Sequence, residues 1–180
     1  GLVDEFDDSE QWQIINTIVP YFGFIFLMYY LLSNGVHFLL VLPLSIIPGL
    51  LLVRIFIFFH DCTHSSFLKS KKWMNVWGHI FGVLVFTPYN KWKHEHITHH
   101  RTVGNMDKRG VGDVWTMTVS EYSQSSFLKR LGYYLYRNPI ILFVIGPFYM
   151  FVVQQRLPFG SKTKGDWFSV LFTNLMIAGI

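Results

Sequence analysis

The sequence predicts an all-α, polytopic integral membrane helical bundle, on three observations. Of its 180 residues 51% are hydrophobic and only 14% are charged, with a mean hydropathy of +0.33; a soluble domain carries roughly 25% charged residues. From Gln11 to Val53 no Asp, Glu, Lys or Arg interrupts 43 consecutive residues. Further uncharged runs recur at 139–155 and 167–180, each separated from the last by a basic or turn-rich segment.

The long uncharged stretch holds two spans of about 20 residues, the length that crosses a bilayer core. Ser33-Asn34-Gly35 supplies the turn, so the spans are expected at about 14–32 and 36–59, as an antiparallel hairpin. Pro20, Pro43 and Pro48 fall inside them and predict kinks, which membrane helices tolerate. Arg54 is placed to snorkel or to pair within the bundle. A polar-rich region then covers 60–138. Its uncharged run from Trp73 to Asn90 contains Asn75, Gly78, His79, Gly82 and Pro88, so it suits an interfacial or re-entrant helix better than a span. Asn138-Pro139 opens a third span at 139–155, and Gln154 to Asp166 reads as a turn. The run at 167–180 is short of a full span and reads as a truncated fourth. The acidic opening (Asp4, Glu5, Asp7, Asp8, Glu10) matches neither a signal nor a transit peptide. Together these features predict one domain over 1–180 that is the N-terminal part of a longer one.

Composition removes several functions. Eighteen phenylalanines exclude a disordered or low-complexity chain. The single cysteine, Cys62, excludes a disulfide framework and a cysteine-based zinc or iron–sulfur site. A net charge of +4 with unevenly placed basic residues speaks for membrane orientation before nucleic acid. Eleven of the 15 Lys and Arg lie in 60–138, including Lys69, Lys71, Lys72, Lys129, Arg130 and Arg137 near the span ends. The positive-inside rule therefore sets this region on the cytoplasmic side, and Lys69 to Lys72 meets anionic headgroups.

Seven of the eight histidines lie between residues 60 and 100. His60-Asp61-Cys62-Thr63-His64 sets two imidazoles at i and i+4, on one helix face. In His94-Glu95-His96-Ile97-Thr98-His99-His100, residues His96, His99 and His100 again share one face. Both groups reach the same membrane side if the segment between them does not cross, as the short core of the 73–90 run suggests. Five imidazoles exceed one tetrahedral zinc, which favours a dinuclear site, and an oxidation at a lipid surface favours iron over redox-inert zinc. Neutral imidazoles need acceptors for their outer N–H. Asp61, Glu95, Asp107 and Asp113 are the nearest candidates in sequence.

HDCTH and HxxHH, with KSKKWMNVWGHIFG between them and HHRTVGNMDKRGVGDVW after them, resemble the membrane-bound histidine-box fatty-acid desaturases. The likeness is nearest to the bacterial phospholipid Δ5-type acyl-lipid enzymes, extends to RIFIFFHD and RNPIILFVIGP, and is most specific across 54–115. It implies a di-iron centre, two iron ions on histidines, that uses O2 and two electrons to place a cis double bond in a membrane-lipid acyl chain. By motif, His60 and His64 are the first box, and His96, His99 and His100 the second. His94 precedes the second box, and its role is second-shell or interfacial. The family's third HxxHH box has no counterpart in these residues, so the chain alone is expected to be inactive. The resemblance also implies an electron donor such as ferredoxin or flavodoxin, no nucleic acid partner, and residence in the bacterial cytoplasmic membrane with the boxes facing the cytoplasm. A hydroxylase or ketolase of the same superfamily, and from another class a membrane metal transporter, are the competing readings. Histidines gathered at one membrane face disfavour transport.

Overall fold

The structure, a computed structural model, describes residues 8–110 and 112–180; the acidic residues Asp4, Glu5 and Asp7 lie outside the described residues. The described residues contain helices and turns with no strand, in agreement with the all-α expectation. The chain divides into two compact units, Gly1–Val85 and Phe86–Ile180.

In the first unit, α1 (Asp8–Ser33) ends in a left-handed turn at Gly35, φ 80°. There the N–H groups of Asn34, Gly35 and Val36 return to the carbonyls of Tyr30, Leu32 and Leu31, each at 3.1 Å, satisfying groups a helix end otherwise leaves open. Nδ1 of His37 accepts the N–H of Leu39 at 3.3 Å and starts α2 (Phe38–Val41). A 3-10 turn over Leu42–Ser45 carries Pro43 and leads into α3 (Ile46–His64). Pro48 sits in the first turn of α3, where its missing N–H costs no helical bond. Ser9–Ser33 and Phe38–His64 are both long and apolar enough to cross a membrane. Only 11% and 17% of their apolar windows is buried among the described residues. Arg54 lies over the ring of Phe58 at 5.6 Å, a cation–π contact that shields the charge.

α4 (Lys71–Leu84), capped by the Ser70 hydroxyl, packs against α3. Fourteen residues reach about 21 Å, so this helix, which covers most of the 73–90 run, is too short for a span. Its contact with α3 is aromatic. Phe58 stacks on Phe67 at 4.9 Å and meets Phe81 at 5.7 Å, while Trp77 stacks on Phe81 at 5.3 Å. The buried rings of Phe58, Phe67 and Phe81, with Ile55 and Met74, fix the end of α3 that carries HDCTH.

In the second unit, α5 (Tyr89–Thr102) follows Pro88, whose extended backbone prevents earlier helix. α6 (Val119–Gln124) opens on a capping box of Thr118 and Glu121, and α7 (Phe127–Tyr136) on Ser126. The expected span at 139–155 holds a π-helical segment, Ile141–Ile145, and then α8 (Gly146–Val152). Phe127–Tyr136 and Ile141–Arg156 meet at 65°, so the pair counts as a third candidate span only as a broken one. A 3-10 turn, Gln154–Arg156, precedes α9 (Lys164–Ala178), which has its own capping box of Thr163 and Asp166 and packs along α5.

Candidate metal-binding histidines

The first box occupies the last turn of α3, which stops at Ser65 in a left-handed conformation, φ 59°. His60 and His64 stand one turn apart with ring centroids 4.6 Å from each other. Oδ1 of Asp61 lies 3.0 Å from Nδ1 of His60, a position from which the carboxylate accepts the Nδ1 proton of the tautomer that turns Nε2 into the ligand atom. Between the two rings in sequence, Cys62 and Thr63 point into the protein and are buried, and the Thr63 hydroxyl donates to the His60 carbonyl at 2.6 Å.

The second box lies on α5. Nε2 of His96 and Nε2 of His100 approach to 3.0 Å. Two donors at about 2.1 Å from one ion are about 3.0 Å apart at a right-angled bite and about 3.4 Å apart at a tetrahedral one. The observed 3.0 Å is a hydrogen-bond distance between the two nitrogens, and it sets them close enough together to serve one ion. Trp92, one turn earlier, stacks on His96 at 4.2 Å with planes 13° apart and fixes that ring's orientation.

His99 is held from outside the helix. Oδ1 of Asp113 lies 3.0 Å from its Nδ1, off the line of the ring N–H, since Nδ1 has no directed hydrogen bond. The contact is thus chiefly electrostatic. The other carboxylate oxygen of Asp113 accepts the N–H of Gly110 at 3.1 Å. Gly112, at φ +75°, lies beside the same ring, with no room for a Cβ between them.

The remaining carboxylates divide. Glu95 faces Lys91, with Nζ to Oε1 at 3.0 Å, and takes a hydrogen bond from Nε2 of Gln155 at 3.4 Å. Asp107 is on an exposed loop, where only its backbone N–H is engaged, by Asn105. His94 stands about 160° around α5 from His96 at 100° per residue, and its Nδ1 lies 2.6 Å from Oδ1 of Asp166. Burial alone raises the Asp166 pKa, but hydrogen bonds from the Lys162 N–H, the Thr163 hydroxyl and N–H, and His94 outweigh it and hold the carboxyl below its ordinary value. Nδ1 of His79 donates to the Asn75 carbonyl, 2.7 Å away, as in a structural histidine.

Sequence reasoning did not single out Lys91, Trp92, Gly112, Gln155 or Asp166 as site residues. Two of these carry a readable signal: Thr163-x-x-Asp166 is a capping-box pattern, and Trp92 precedes His96 by one helical turn. The other contacts depend on tertiary folding.

Clustered imidazoles, carboxylates beside two of their outer nitrogens and a convergent nitrogen pair fit a histidine-ligated metal. The fold is that of a helical membrane protein with histidines gathered at the ends of two helices. A family model described as "Fatty acid desaturase" matches residues 36–180, and the chain belongs to that family. It is 44% identical over 168 residues to a fatty acid desaturase of Bacillus subtilis (strain 168), covering 93% of this chain and 47% of the relative. It is 33% identical over 107 residues to an sn-1 acyl-lipid omega-3 desaturase (ferredoxin) of Nostoc sp. (strain 36), covering 57% and 29%. It is also 33% identical over 126 residues to an endoplasmic reticulum omega-3 fatty acid desaturase of Vigna radiata var. radiata, covering 69% and 31%. The chain spans about half or less of the length of these relatives. No solved structure matches.

Proposed function

We propose that this chain forms the N-terminal part of a single acyl-lipid desaturase domain that introduces a cis double bond into a membrane-lipid acyl chain. The observation that carries the reading is the second box, where His96 and His100 converge to 3.0 Å and His99 is backed by Asp113. His60, His64, His96, His99 and His100 are the proposed ligands, completed by the third box that resemblance to the family implies. Two iron ions held by such ligands supply the O2-dependent oxidation. The reaction balances as one O2, two electrons and two protons from a donor, and two hydrogens from adjacent methylenes, giving the alkene and two waters.

The protein's own groups orient the imidazoles. Asp61 is placed to accept the Nδ1 proton of His60 and so keep Nε2 for the metal, and Asp113 sets negative charge 3.0 Å from Nδ1 of His99. Trp92 keeps His96 from turning. The ferredoxin named for the Nostoc relative supports a ferredoxin or flavodoxin donor, and the basic residues of 60–138 support a cytoplasmic site in a bacterial membrane. A hydroxylase or ketolase would share these ligands and differ in how it places the substrate.

The test is the fatty-acid profile, by gas chromatography–mass spectrometry, of a bacterial host expressing the complete reading frame, beside His99→Ala and an empty vector. A new monoenoic acid that His99→Ala loses is the expected result. Iron-loaded, folded protein with a supplied donor and no new alkene would overturn it. Hydroxylated products would select the hydroxylase, and metal flux in proteoliposomes the transporter.

A further inference from the structure

Lys91 is a buried charge of the second unit, 1% exposed, on the same helix as the second box. Its ammonium reaches Oε1 of Gln155 at 3.1 Å and Oε1 of Glu95 at 3.0 Å, and Gln155 in turn donates to the other Glu95 oxygen at 3.4 Å. Gln155 is itself 2% exposed. The three side chains close a ring of polar contacts between α5 and the 3-10 turn after α8. The Lys91 N–H adds a bond to the Ser169 hydroxyl at 3.3 Å, and Asn90 donates to the Gly165 carbonyl at 3.3 Å. With His94 to Asp166, every one of these links leaves α5 from a single side.

At 100° per residue, Lys91, His94 and Glu95 centre roughly 140° around α5 from His96, His99 and His100. One face of the helix is therefore anchored by buried polar groups, and a different face presents the imidazoles. Apolar burial is not directional, so on its own it leaves a helix freer to slip about its axis than buried hydrogen bonds do. A buried ammonium with two fixed acceptors allows no such slip, since rotation would leave a charge in the interior without partners.

We propose that Lys91, with Glu95 and Gln155, is a positioning group that fixes the rotation of α5 about its axis and so aims His96, His99 and His100. This rests on the metal reading above. The role is indirect: Lys91 touches no proposed ligand, and its effect is exerted through the helix backbone.

The experiment is cobalt(II) titration of the metal-free full-length protein in detergent, read by the visible ligand-field bands and by the dissociation constant. Helical circular dichroism and the melting temperature are recorded alongside. Lys91→Met and Gln155→Leu are expected to weaken cobalt binding tenfold or more and to shift the bands in protein that remains helical. Lys91→Arg, which keeps the cation and donors for both Gln155 and Glu95, is expected to stay within threefold of wild type. Variants that melt earlier but bind cobalt with the wild-type constant and spectrum would overturn the proposal, because a merely stabilising contact acts that way. Should Lys91→Met fail to fold, Gln155→Leu, which leaves the sequence of α5 intact, decides alone. Wild-type protein that takes up no cobalt would defeat the metal reading and the positioning role together. Wild-type uptake with unaltered variants would defeat the positioning role alone.

Discussion

Gly112 lies so close to His99 that a Cβ at position 112 would stand 3.2 Å from the Cβ of His99 and 3.3 Å from its Cγ. The backbone there is left-handed, φ +75°, where a side chain is strained in any case. Gly112→Ala therefore meets two penalties, together of the order of 1–3 kcal/mol, and relieves them by displacing the ring of His99 or the loop that carries Asp113. The expected outcome is folded protein with reduced iron content, measured by metal analysis of the purified full-length enzyme, and a product yield lowered with it. Gly104→Ala, at φ +83° with no atom within 4 Å of the added carbon, tests strain alone and should retain its iron.

Asp113 and Asp107 are equivalent as acidic residues shortly after HxxHH, but the fold separates them. Asp113 is half-buried with its carboxylate 3.0 Å from His99, whereas Asp107 is exposed on its loop. Loss of a carboxylate behind a ligating histidine typically costs 10- to 100-fold in metal affinity. Asp113→Asn is expected to weaken iron or cobalt binding in that range, and Asp107→Asn to leave it unchanged. Competition against a chelator of known affinity measures both.

The all-helical class, the two apolar spans and the histidine spacings were legible in the sequence because each rests on a local period. Hydropathy over 20 residues marks Ser9–Ser33 and Phe38–His64, and i, i+4 spacing marks His60 with His64 and His96 with His100. The third apolar run was legible in composition, but its π-helical start at Ile141–Ile145 and the 65° bend from α7 were not. Both arise from backbone geometry around Asn138-Pro139 and Gly146-Pro147 that hydropathy does not encode. The partners of the histidines divide in the same way. Asp61 adjoins His60 and was readable, while Asp166 reaches His94 across 72 residues and Gln155 reaches Lys91 across 64. No periodicity reports contacts at that separation.

Asp166 joins two tasks, capping α9 through Thr163 and binding His94. Its carboxylate also accepts the N–H of Lys162 at 2.8 Å and of Thr163 at 3.1 Å. Asp166→Ala is expected to cost about 1–2 kcal/mol from the lost cap and to lower the melting temperature by several degrees, as read by circular dichroism. Because the folded-state pKa is lowered, this stability is fully present above the ordinary aspartate range and is lost as pH falls through the folded value. The wild-type protein should thus lose stability on acidification below about pH 4 more steeply than Asp166→Asn, in which the titrating carboxyl is gone.

Glu121 offers a titration that can be followed at one atom. The Arg109 guanidinium grips both carboxylate oxygens, at 2.5 and 3.1 Å, and the Thr118 N–H donates to one of them at 2.7 Å. The hydrogen bond from Arg109 is the main cause, and the Thr118 N–H the next, of a pKa held down at about 2. Arg109 also donates to the Thr116 carbonyl at 2.5 Å, so one side chain ties the loop after HxxHH to the start of α6. The folded value lies below the unfolded one, so the clamp contributes fully above about pH 4.5 and is released as pH falls through about 2. A carbon-13 label on the glutamate carboxyls should show one signal, assigned by Glu121→Gln, titrating with a midpoint near 2. In Arg109→Leu that midpoint should return most of the way to the ordinary glutamate range, with the Thr118 N–H retaining a smaller part of the shift. A wild-type Glu121 midpoint already at the ordinary value would mean that the guanidinium and the carboxylate are not in contact in solution.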